Sequence, residues 1–110
     1  MMKVEKPKPF KIPEQTEKEL TAGIRYLLKS QGIWHFKNFG GPMSVKGLPD
    51  LIGCFQGKFL AIEVKRKSGK VSPEQEAMIA RINRAGGLAF VARDLETVIE
   101  RLGIKDRFLF

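Results

Sequence analysis

The 110-residue chain reads as an α/β domain, a mixed β-sheet flanked by helices in the order αβββαβα. Three observations point there. Apolar residues recur at helical spacing in three segments. Short aromatic and β-branched runs of strand length lie between them, and Gly-containing breaks separate the two kinds. Hydrophobic residues make up 43% of the chain, enough for a core. The length fits one compact domain, and no internal repeat is visible.

Taken in order, residues 1–12 alternate Lys with Pro and lack periodicity, so they read as a flexible basic arm. The folded domain is expected over 13–104. Helical signals begin at Pro13: Thr16 with Glu19 forms a capping box, Leu20, Ile24, Leu27 and Leu28 share a face, and Gly32 ends the helix. Ile33–Phe39 is aromatic-rich and predicts a strand. GGPMSVKG, residues 40–47, predicts a loop. Leu48–Phe55 and Lys58–Arg66, joined by Gln56-Gly57, predict a β-hairpin. After the polar loop Lys67–Val71, Ser72, Pro73 and Gln75 sit where an N-cap, a first-turn proline and a capping-box partner belong. That helix runs through Met78, Ile79 and Ile82 to Gly86-Gly87. Strand Leu88–Ala92 and a helix around Leu95–Leu102 follow. Residues 105–110 end in Phe108, Leu109 and Phe110, an apolar tail expected to cover its own domain or a second subunit.

Twenty Lys and Arg against twelve Asp and Glu give a net charge of +8 and a pI near 9.9. So basic a small domain attracts polyanions, with DNA the expected partner. A membrane surface fits less well, because no segment joins a basic face to a broad apolar one. No apolar stretch approaches the roughly 20 residues that span a bilayer, and no secretory signal is recognisable. The single Cys54 cannot form an intramolecular disulfide, which fits a reducing cytoplasm. One Cys and one His cannot supply a zinc site.

Chemistry concentrates on the hairpin. Alternation puts Phe59, Ala61, Glu63 and Lys65 on one strand face and Leu60, Ile62 and Val64 on the other. If Gln56-Gly57 is a two-residue turn, Phe55 faces Lys58, and continuing the register sets Asp50 opposite Glu63. Facing residues hold their Cβ atoms about 5 Å apart. Two acids there repel unless a cation sits between them, and a hard divalent ion binds carboxylate oxygen at about 2.1–2.5 Å. Such an ion can draw charge from a phosphodiester and acidify a water. Lys65 could orient or help deprotonate that water, or hold developing negative charge.

These residues resemble a known pattern. Gly47-Leu48-Pro49-Asp50, twelve intervening residues and then Glu63-Val64-Lys65 look like the PD-(D/E)xK nuclease signature. The wider text, GLPDLIG followed by FLAIEVKRKSGKVSPEQ, is similar to the stand-alone VRR-NUC subfamily of phages and bacteria over roughly residues 16–102. The resemblance implies a restriction-endonuclease-like fold in a cytoplasmic enzyme of a bacterial or phage-infected cell. It implies Mg²⁺- or Mn²⁺-dependent hydrolysis of DNA that leaves 5′-phosphate ends. For compact members it implies action on branched DNA such as Holliday junctions, as a homodimer. It further implies a backbone carbonyl of Val64 as a metal ligand beside Asp50 and Glu63. Glu17 matches the acidic residue that completes the metal site, with Glu14 and Glu19 as alternatives. Gln75 matches a glutamine that supports Lys65 or a phosphate.

Lys37, Lys46, Arg66, Lys67 and Lys70 surround these positions in sequence and are the candidate DNA-contacting rim. The 40–47 loop is the candidate for entering a groove or junction centre, since Gly allows close backbone approach. His35 reads as a half-buried packing residue and Cys54 as a small apolar filler. Trp34, Phe36 and Phe39 read as strand packing, with stacking on unpaired bases as the alternative. The rival functions are a nicking or restriction-type nuclease on duplex DNA and a catalytically silent DNA-binding module.

Overall fold

Each helix starts at a side chain that satisfies its otherwise unpaired first-turn N–H groups. In α1 (Glu17–Ser30) the Thr16 hydroxyl accepts from Glu19 N at 3.1 Å, and the Glu19 carboxylate accepts back from the Thr16 N–H and hydroxyl. In α2 (Pro73–Arg84) Ser72 Oγ accepts from Gln75 N at 3.2 Å, while Gln75 Oε1 accepts from Ser72 N at 2.9 Å. In α3 (Leu95–Leu102) Asp94 accepts from Thr97 N at 2.7 Å. Such caps contribute about 1 kcal/mol each. The computed structural model describes residues 13–104. The expected basic arm (1–12) and apolar tail (105–110) lie outside the described residues.

Four strands, β1 (His35–Lys37), β2 (Leu51–Phe55), β3 (Lys58–Val64) and β4 (Leu88–Ala92), form one sheet in the order β1-β2-β3-β4. β1, β2 and β3 are antiparallel, and β4 joins β3 in parallel through the α2 crossover. The element order is αβββαβα, as expected. At the β2–β3 turn Gln56 has φ 50° and Gly57 φ 77°, the two positive values of a type I′ connection. Phe55 therefore pairs with Lys58, and the ladder runs to Leu51 opposite Ile62. The first three strands are shorter than their apolar runs suggest. β2 begins only after Pro49, which has no N–H for a ladder. β1 keeps three residues of the expected seven; the chain leaves it at Asn38 for the 39–47 loop.

The two sheet faces bury different things. Leu60, Ile62 and Val64, with Leu51, Phe90 and Ala92, pack against Leu20, Ile24, Leu27 and Leu28 of α1 and Val98 and Leu102 of α3. On the other face Ile52, Ala61 and Ala89 meet Leu48 and Ile79 and Ile82 of α2. α2 lies over β3 and β4. Among the described residues no helix covers the β1 side of that face. Trp34 is 65% and Phe36 45% exposed there, and Phe59, at the hairpin end of β3, is 44% exposed. The packing role expected for Trp34, Phe36 and Phe39 does not hold, and Cys54 is exposed rather than a filler. His35 is half-buried, as expected; its Nδ1 bonds Ile33 O at 3.0 Å and its Nε2 accepts from Arg25 Nε at 3.3 Å. Among the described residues no helix is long and apolar enough to cross a membrane.

Candidate active site

Because β3 alternates, Glu63 shares its face with Ala61 and points toward α2, where the carboxylate is 2% exposed. Gln75 Nε2 donates to Glu63 Oε1 at 3.1 Å. The capping-box residue thus has a second role through its other side-chain atom. The contact this structure shows for its amide is with Glu63; the resemblance implied support of Lys65 or a phosphate. Glu63 Oε2 is buried with no hydrogen-bond partner. Lys65 Nζ stands 3.9 Å from Glu63 Oε1, on the same strand face and mostly buried.

Asp50 reaches this point from the residue just before β2. Its Oδ2 accepts from Val64 N at 3.0 Å, which fixes it beside the Glu63 backbone. Asn38 holds the other side: its N–H donates to Asp50 O at 2.7 Å and its amide to Pro49 O at 3.4 Å. Asp50 lies one residue beyond the Leu51–Ile62 pair, so the continued register sets it across from Glu63. Burial pushes the Glu63 carboxyl up to about 8, and the charge of Asp50 is the next cause; Lys65 opposes the shift and Glu17 adds to it weakly.

Buried acids with an unsatisfied oxygen and only partial neutralisation are the donor set of a hard cation. Asp50 and Glu63, with the adjoining Val64 backbone, fit such an ion. Among the described residues no three His, Cys, Asp or Glu side chains converge as a cage.

The remaining sequence candidates divide. Glu17, the first residue of α1, is exposed and influences Glu63 only through its charge. Its two alternatives are engaged elsewhere: Glu19 in the α1 cap and Glu14 with Ser68. Lys46, Arg66, Lys67 and Lys70 are exposed. Lys37 pairs with Leu51, whose side chain packs with α1 and α3, so it lies on the face opposite Glu63; its ammonium sits over the Phe39 ring at 5.1 Å. Gly47 does make a close backbone approach, but to the first turn of α2.

Two supports had no signature in the sequence. Asn38 tethers the Pro49–Asp50 backbone as described. Arg93, just past β4, donates from Nη1 to the carbonyls of Arg66, Lys67 and Gly69 at 2.8, 3.1 and 2.7 Å. That contact folds the loop that follows Lys65. Both join residues distant in sequence, and neither leaves a periodicity to read.

Residues 37–94 match the VRR-NUC domain family. A solved structure described as a VRR_NUC domain protein superposes with a TM-score of 0.69 at 24% identity, covering 83% of this chain and 88% of that one. A second, described as a VRR_NUC domain, gives 0.66 at 21% identity over 83% of this chain and 99% of that one. At these identities the two structures speak for the shared fold. No curated protein matches the chain.

Proposed function

The chain belongs to the VRR-NUC family, a nuclease-type domain, and from that premise we propose that it is a divalent-metal-dependent DNA endonuclease working through Asp50, Glu63 and Lys65. One observation carries the reading: a buried Glu63 with an unpartnered Oε2 faces a second acid and has one ammonium beside it. Asp50, Glu63 and the Val64 carbonyl would hold Mg²⁺ or Mn²⁺. When bound, such an ion draws charge from a phosphodiester and lowers the pKa of a water.

The chain's own groups supply the rest. Gln75 ties down Glu63 Oε1 and leaves Oε2 as the free oxygen. Val64 N–H and Asn38 hold Asp50 in register with it. Lys65 sets a compact positive charge where the phosphate oxygens gain negative charge. Glu17 and Gln75 complete the proposed catalytic group, Glu17 by its charge and Gln75 by position. Lys46, Arg66, Lys67 and Lys70 supply phosphate contacts around it. The net charge of +8 supports DNA as substrate; branched DNA such as a Holliday junction, and a homodimer as the working form, rest on the family resemblance.

Plasmid and a synthetic four-way junction, each incubated with Mg²⁺, Mn²⁺ or EDTA, test this directly. Wild type should cut in metal and not in EDTA, with the junction preferred. Lys65→Ala should lose on the order of 10²–10³ in rate, the usual cost of removing one charge-stabilising donor. Binding without cutting in either metal would leave a silent module; equal cutting of plain duplex would leave a nicking or restriction-type enzyme. DNA affinity should also fall by orders of magnitude between about 50 and 200 mM salt if several lysines pair with phosphates. A flat salt response in a filter-binding titration would remove the basic rim from the account.

A further inference from the structure

Among the described residues, no helix covers the β1 side of the α2-facing sheet surface. Phe36 pairs with Ile52, which belongs to the α2-facing cluster, so Phe36 points to that side of the sheet. Trp34, two residues earlier, follows it, and the two rings meet edge to face with centroids 5.7 Å apart. Asp50 and Glu63 share this face: Glu63 alternates with Ala61 and bonds α2. The backbone bond from Asn38 to Asp50 continues the β1–β2 ladder from the Phe36–Ile52 pair. The aromatic pair therefore starts two residues along β1 from the proposed scissile position, about 7 Å at strand rise. The two rings make one contiguous exposed aromatic patch, and such patches mark binding surfaces.

We propose that Trp34 and Phe36 form a stacking platform for unpaired DNA bases beside the proposed cleavage site at Asp50 and Glu63. This rests on the nuclease reading and adds to it a binding subsite, the residues that take unpaired bases beside the cut. Charge favours this occupant. The chain carries +8, Lys65 lies on this face beyond the two acids, and stacking on exposed aromatic rings in a basic protein is how unpaired strands are held without sequence preference. In an intact duplex the bases present only their edges, so the rings would gain little.

Trp34 is the only tryptophan in the chain, so its emission reports the platform without any substitution. The test is titration in EDTA, where no cutting occurs, with a short oligothymidylate and with an abasic phosphodiester of the same length. Stacking should quench Trp34 emission with the first and not the second, and the first should bind more tightly. Trp34→Ala and Phe36→Ala, read by fluorescence anisotropy of a labelled oligonucleotide, should each weaken oligothymidylate binding by roughly 5- to 100-fold. They should leave abasic binding unchanged. Equal affinity for the two probes with no quenching would overturn the platform. So would a wild-type dimer that the paired substitution converts to monomer while Trp34 emission ignores DNA; the face would then join two copies of the chain. Base-dependent quenching without any metal-dependent cutting would instead remove the nuclease reading and leave the platform standing.

Discussion

Glu63→Gln should abolish cleavage and, in the same protein without metal, raise the melting temperature at pH 8. The two effects have one cause. The wild-type carboxyl is 2% exposed, and burial together with Asp50 lifts it from 4.5 to about 8. Ionising it in the folded state is therefore unfavourable. A glutamine keeps the shape: its Oε1 can still accept from Gln75, and its amide can donate toward Asp50. It removes the charge that a cation would need, so catalysis is lost as stability is gained.

The pH dependence follows from the sign of the shift. The folded protein holds the Glu63 proton more tightly than the unfolded chain, so this group's contribution to stability is complete below pH 4.5. It is then lost progressively as pH rises through about 8. The melting temperature of metal-free wild type should fall across that window, whereas Glu63→Gln should show a flatter profile. For a domain of this size each kcal/mol corresponds to about 4–8 °C, so the difference is readable by calorimetry. Added Mg²⁺ or Mn²⁺ should restore wild type most at the alkaline end, because an ion binds the ionised form. Parallel profiles for wild type and variant would mean that Glu63 is not held near a second acid in a dry setting.

How far the sequence foretold this site depends on the range of each interaction. Capping boxes at Thr16 and Ser72 and the alternation of β3 are local, and the structure follows them. The Gln56-Gly57 turn is also local, and since it fixes hairpin register it carried Asp50 across to Glu63. Asn38, Arg93 and Glu14 act through bonds to residues 11 to 54 positions away, and no spacing rule announces such partners. The exposure of Trp34 and Phe36 was equally hidden. An aromatic strand is buried or open according to which half of a sheet a later helix covers, and here α2 covers β3 and β4. Lys37 shows the reverse error: nearness in sequence to the motif suggested a shared surface, while strand alternation turned its side chain to the other face.

Gly47→Ala should cut activity by about 10²-fold although residue 47 has no side chain to act on a substrate. Its φ is +78°, a region where a Cβ costs roughly 1–2 kcal/mol. A Cβ built there would also lie 2.5 Å from Glu74 O and 2.9 Å from Glu74 C, so the loop or the first turn of α2 must shift. The loop leads three residues later to Asp50; the turn carries Gln75, which holds Glu63. Moving one against the other separates the two acids, and a misplacement near 1 Å is enough for losses of that order. Gly57→Ala is the control. Gly57 also has positive φ, +77°, but open space around it, so it should lower the melting temperature while sparing activity. If Gly47→Ala cuts at the wild-type rate, or Gly57→Ala loses as much, the contact between the loop and α2 does not set the spacing of the acids.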